Sequence, residues 1–149
     1  MAIKGFYVLF EEIKGHVSQI RNINTSGTID IHELNLLYQR SIQLFFLDSL
    51  LAKHRAEYGN AINPLKGRTA LYHKLLMKYQ WPIRVIVEMT LLESLLALQD
   101  EMLIDSLPEE AQKLMNSIHY LDYRFGFDDL LEDEWNPSFA DKLLRYTDE

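Results

Sequence analysis

Along residues 3–20 the apolar positions Phe6, Phe10, Ile13, Val17 and Ile20 recur every three or four residues, with Glu11, Glu12 and Lys14 set between them. That is the spacing of one face of an amphipathic helix. The pattern predicts a helix over Ile3–Ile20, weakened at Gly15. A polar run from Asn22 to Ile29 interrupts it. Asp30-Ile31-His32-Glu33 then sets an N-cap aspartate ahead of an acidic residue at the third helical position, which is how a helix starts. No Pro or Gly occurs from Ile31 to Tyr58, so one long second helix is expected there. Its Ile42–Leu47 stretch is apolar around most of its circumference, as a central mast requires. Gly59 and Pro64 end the pattern, and a third helix is expected over Leu65–Tyr79. Pro82 fits the first turn of a fourth helix that reaches about Leu103 and is apolar enough to be buried. Ser106–Glu110 opens a fifth, and one or two short helices flank Trp135-Asn136-Pro137. Runs of period two are almost absent, so the expected fold is all-α. It is a single domain over residues 1–149, a bundle of about five to seven helices with a long second helix and a buried apolar fourth helix.

At 149 residues with 48% hydrophobic content, the chain can build one core without metal or disulfide staples. It has no cysteine, which excludes a disulfide framework, thiolate zinc sites and a cysteine nucleophile, and fits a reducing cytoplasm. Charges at Lys4, Glu11, Glu12 and Lys14 break the apolar N-terminal run and no small-residue cleavage site follows, so no signal peptide is expected. Ile83–Ile104 contains Arg84, Glu88, Glu93, Asp100 and Glu101, and so falls short of the ~20 apolar residues that span a bilayer. A cytoplasmic protein with no membrane partner is the expectation.

Charge changes the picture more than composition does. Nine carboxylates face three cations from Asp122 onward, a net of −6 out of a chain total of −7. Tyr123, Phe125, Phe127, Trp135, Phe139 and Tyr146 lie among them, and disordered acidic tails generally lack such aromatics. The acidic end is therefore expected to fold and to offer a surface to something basic. Residues 53–78 are the opposite: Lys53, Arg55, Lys66, Arg68, Lys74 and Lys78 stand against Glu57 alone, a net of +5. That segment either packs on the acidic end or forms a solvated basic face.

Candidate chemistry is sparse. His16, His32, His54, His73 and His119 form no His-x3-His or Glu-x2-His pair, and no Gly-rich phosphate loop or nucleophile elbow is present. No cofactor, metal or catalytic residue is expected. Asn22-Ile23-Asn24-Thr25-Ser26-Gly27-Thr28-Ile29-Asp30-Ile31-His32-Glu33 resembles the EF-hand calcium loop, with oxygens at alternate positions, Gly27 at the bend, Ile29 at position eight and Glu33 at position twelve. It departs from that loop at Asn22, where an Asp normally stands, and at Arg21, where an aromatic does. The resemblance implies a single calcium-binding site. Arg68 and His73 have the Arg-x4-His spacing of the HEPN-type helical ribonucleases. That resemblance implies RNA cleavage, with Arg68 on phosphate and His73 moving a proton.

Residues 40–100, with their long apolar helix, Pro64-Leu65-Lys66-Gly67 and a helix carrying Leu71 and Leu75, look like the mannitol operon repressor family. This implies an all-α fold. Where that family carries an Arg, Asn and His cluster, Leu95–Glu101 stands here. A small, acidic, cysteine-free helical chain is also similar in character to the immunity proteins of bacterial contact-dependent growth inhibition. That similarity implies a non-enzymatic protein that neutralises a basic nuclease toxin, since nucleases are basic where they hold phosphates. The expected partner-binding residues are Asp128, Asp129, Glu132, Asp133, Glu134 and Trp135, with Asp128 and Asp129 opening a short helix. The alternatives are a helical ribonuclease or nucleic-acid regulator working through residues 53–78, and a calcium-binding protein. With a protein partner, nucleic acid is not expected, and the oligomeric state stays open.

Overall fold

A computed structural model describes residues 2–147; Met1, Asp148 and Glu149 lie outside, and with them two carboxylates of the acidic end. The long helix forms where Asp30 caps it: the Asp30 carboxylate accepts from the backbone N–H groups of His32 and Glu33 at 2.8 and 3.4 Å. This helix, α2 (Ile31–Tyr58), is the axis of an all-α bundle. Every residue from Arg40 to Ala52 is buried, so its neighbours wrap it on all sides.

Helix α1 (Phe6–Ile20) lies along it, with Phe6 and Phe10 edge-on to Phe45 at ring distances of 5.8 and 5.6 Å. It begins later than the expected Ile3. Ala2–Lys4 is instead strand β1, antiparallel to β2 (Arg145–Thr147), so a short two-stranded ribbon ties the two ends of the described chain together. Gly5 makes the corner between β1 and α1 with φ of +104°, and the Leu143 carbonyl lies where a side chain would stand. Only glycine fits there.

Helix α3 (Arg68–Tyr79) begins after Gly67, and Gln80 closes it in the left-handed conformation ahead of Pro82. The expected buried fourth helix is two helices, α4 (Ile83–Val87) and α5 (Leu91–Ala97). Thr90 and Glu93 break it by forming a capping box: the Thr90 hydroxyl accepts from Glu93 N–H, and the Glu93 carboxylate accepts from Thr90 N–H at 2.8 Å. Ile83, Val85, Val87 and Leu96 are about half exposed, so these helices lie on the surface with only Ile86, Leu91 and Leu95 in the core. Single 3-10 turns lead to α6 (Glu109–Ser117). An irregular stretch then covers the other flank of α2, with Phe125 edge-on to Phe46 at 5.3 Å and Tyr123 stacked on Tyr38 at 5.8 Å. A 3-10 turn at Glu132–Glu134 and α7 (Ser138–Leu143) complete the fold. One contiguous cluster of buried side chains draws on β1 and on all seven α-helices. No helix among the described residues is long and apolar enough to cross a membrane.

Candidate binding surface

Arg40 projects from α2 into a place where water cannot follow, and burying its charge requires a partner. The acidic end supplies one. Glu134 accepts from Arg40 Nη1 at 2.6 Å through Oε1 and from Arg21 Nε at 2.6 Å through Oε2. Asp129 accepts from Arg40 Nη2 at 2.9 Å, and from Arg21 through both its carboxylate, at 3.3 Å, and its carbonyl oxygen. Two guanidiniums and two carboxylates thus close a compact neutral network. Glu134 Oε1 also accepts from Leu131 N–H at 2.7 Å, and Arg40 Nε donates to Gln43 at 3.0 Å. The Glu134 hydrogen bond holds the Arg21 guanidinium above its ordinary range against the opposing effect of burial. Burial pushes Asp129 up, but the hydrogen bond from Arg40 and the two positive charges outweigh it, leaving the carboxyl below its usual value.

Trp135 is buried directly behind this network, its indole N–H donating to Asp48 at 2.9 Å, with the Arg68 guanidinium 4.9 Å from its ring. Burial raises the Asp48 carboxyl to about 7, opposed by the Trp135 hydrogen bond and the Arg55 charge. Its second oxygen has no hydrogen-bond partner among the described residues. Asp141 of α7 accepts from Gly67 N–H at 2.8 Å and lies 3.6 Å from Arg55.

The six residues expected to bind a partner therefore divide. Glu134 and Trp135 are buried in the protein's own structure and offer no surface. Asp129 is half exposed but committed to the two arginines. Asp128, Glu132 and Asp133 face solvent. Asp128 and Asp129 form a turn rather than opening a helix, because the backbone here is set by the arginine network and not by helical hydrogen bonding. Glu132 accepts from Leu91 N–H at 2.6 Å, at the start of α5, and the Asp133 carbonyl accepts from His16 Nε2 at 2.7 Å. The result is an acidic loop fixed at several points, with Asp128, Glu132 and Asp133 on its outer side.

Its neighbour is apolar. Through the Glu132–Leu91 contact the loop meets the start of α5, and on α4, α5 and the turn before them Trp81, Pro82, Val85, Met89 and Leu96 wall a groove of about 570 Å³. Glu93 is the charged side chain among its lining residues, and Trp81 stacks on Tyr79 at 4.3 Å.

Three of the six cations of the basic segment, Arg55, Lys74 and Lys78, are ion-paired within the molecule. Arg55 donates to the carbonyls of Leu65 and Gly67, and Arg68 covers Trp135. Lys74 and Lys78 share Glu101 at 2.7 Å each, and Lys78 reaches Asp100 at 2.6 Å. Arg68 and His73, paired by their sequence spacing, have different partners: His73 Nδ1 is 2.8 Å from Nε2 of buried His54. Burial, then the charge of Lys74, lowers His54 to about 4, so the His54 imidazole is neutral at ordinary pH. His54 lines a cleft of about 390 Å³ with Tyr58, Lys74, Lys78 and Glu101.

In the EF-hand-like loop, Asp30 serves as the cap of α2, and Asn24 bonds Ser26 N–H and the Thr28 carbonyl. Among the described residues, no group of three or more His, Asp or Glu is placed to hold a metal ion. Sequence reasoning missed Arg21, Arg40 and Asp48. The available signals were a charged residue among apolar neighbours in the mast, and Arg21 where an EF-hand has an aromatic. No match to this chain is found among protein-family models, curated proteins or solved structures.

Proposed function

We propose that this protein is a non-enzymatic interaction protein that binds and neutralises a basic partner, in the manner of an immunity protein against a nuclease toxin. One observation carries the proposal. The irregular acidic loop between Tyr123 and Glu134 is locked from inside by Arg21 and Arg40, and so presents Asp128, Glu132 and Asp133 in a fixed arrangement. Long irregular segments held this firmly are commonly functional, and a preorganised acidic surface loses little entropy on binding. Carboxylates placed this way mimic the phosphates that a nuclease cleft receives and speed encounter with a basic partner. Ion pairs of Arg55, Lys74 and Lys78 within the molecule argue against the nucleic-acid alternative, because these cations already have carboxylate partners.

The test is capture from the source cell with the wild-type chain, followed by assay of the captured protein's nuclease activity with and without the chain. A basic protein whose activity falls when the chain is added supports the proposal. Capture of nucleic acid alone, or of a partner whose activity is unaffected, overturns it.

A further inference from the structure

The groove beside the acidic loop specifies the partner's chemistry further. Single exposed apolar residues on a surface are ordinary, but a contiguous apolar groove walled by Trp81, Val85, Met89 and Leu96 is not. Carboxylates outnumber cations by two to one on the segment that forms it. Glu88 and Glu93 are exposed on the segment that forms it, and Glu132 is bonded to the first residue of α5 and carries the loop with Asp128 and Asp133. Arg84 is the exposed cation on the same segment. An apolar centre with a charged rim is the anatomy of a protein interface.

We infer that this groove docks an amphipathic helix of the basic partner, its apolar face seated on Trp81, Val85 and Leu96 and its Lys or Arg flanks against Glu88 and Glu93. The inference rests on the interaction function proposed above and names the partner element that this surface takes. Charge decides between the possible occupants. A second copy of the chain docking isologously brings two copies of the same rim, each with more carboxylates than cations, together, which like-charge repulsion disfavours. A cytoplasmic lipid surface is anionic and repels the same rim. A cationic amphipathic helix satisfies both the groove and the rim.

The probe is a synthetic helical peptide with leucines on one face and lysines on the other, set beside the same peptide with glutamates for lysines. Binding is followed by fluorescence anisotropy and by the emission of Trp81 in a Trp135→Phe background. Variants Val85→Asp, Leu96→Asp and Glu88→Gln/Glu93→Gln are first confirmed as folded by circular dichroism. The expected result is binding of the lysine peptide alone, with a blue shift of Trp81, weakened about tenfold or more by Val85→Asp or Leu96→Asp. A smaller, salt-dependent loss is expected in the Glu88→Gln/Glu93→Gln variant.

Unchanged affinity in both aspartate variants overturns the groove as the docking site. If Asp128→Asn/Asp133→Asn then still weakens the peptide, the acidic-loop function survives that failure; if it too has no effect, both fall. Equal binding of the two peptides, capture on anionic lipid vesicles, or a dimer in sedimentation that Val85→Asp dissociates, each overturns the basic-helix occupant.

Discussion

Arg40 and Glu134, 94 residues apart in the chain, meet at 2.6 Å with both side chains fully excluded from solvent. Removing one member of such a pair strands the other as a buried charge. Arg40→Met and Glu134→Gln are each expected to lose about 3–5 kcal/mol of stability by chemical denaturation. The double replacement Arg40→Met/Glu134→Leu is expected to recover much of that loss, because an apolar pair carries no desolvation penalty. Hydrogen exchange at the Leu131 amide, which is bonded to Glu134, should accelerate in Glu134→Leu. Two single variants as stable as wild type would show that the pair does not anchor the acidic loop.

Asp48 and His54 are expected to give the folded protein opposite pH dependences. Burial raises Asp48 to about 7, so its contribution is complete below its unfolded value near 3.8 and is lost as pH rises through 7. Burial and Lys74 lower His54 to about 4, so its contribution is complete above 6.5 and is lost as pH falls toward 4. The two nearly offset each other over that window. Asp100, Glu101 and Asp129, all held below their ordinary values, act at the acid end of the window and beneath it. The Asp48→Asn variant, which keeps an acceptor for Trp135, should gain stability as pH rises from 4 to 6.5. His54→Gln should instead lose it from 4 to 7, by an amount on the order of a few kcal/mol. Thermal unfolding against pH in the two variants reads the slopes, and equal slopes would refute the assignment.

The break between α4 and α5 depends on Thr90. Thr90→Ala removes the acceptor for Glu93 N–H and is expected to cost about 1 kcal/mol, read as a lower melting temperature. Thr90→Ser or Thr90→Asp should retain most of the stability. Because α5 carries Leu96 and meets Glu132, the alanine variant is also expected to weaken binding at the groove.

Much of the bundle was legible in the residues. Asp30 and the absence of Gly and Pro marked α2 at both of its ends, since capping and helix breaking are local effects. The α4–α5 break was equally local, and Thr90 with Glu93 is its signature, but the apolar density around it read as one core helix. The β1–β2 ribbon joins the two ends of the chain and leaves no period-two run long enough to register. The acidic character of the surface was visible in the charge count. Which carboxylates remain outside was not, because that depends on Arg21 and Arg40 meeting Glu134 and Asp129 across 89 to 113 residues. Of the six residues expected at the interface, Asp128, Glu132 and Asp133 stand on the surface, and Trp135 and Glu134 went to the interior for want of any local signal of their tertiary partners.

The proposed function requires that a preorganised acidic loop bind a basic protein. Its most direct test is the affinity of the captured basic partner for the wild-type chain and for Asp128→Asn/Glu132→Gln/Asp133→Asn, measured at low and at physiological salt. The folded triple variant is expected to bind about a hundredfold more weakly at low salt and to lose most of its salt dependence. Equal affinity and equal salt dependence in the two proteins would contradict it.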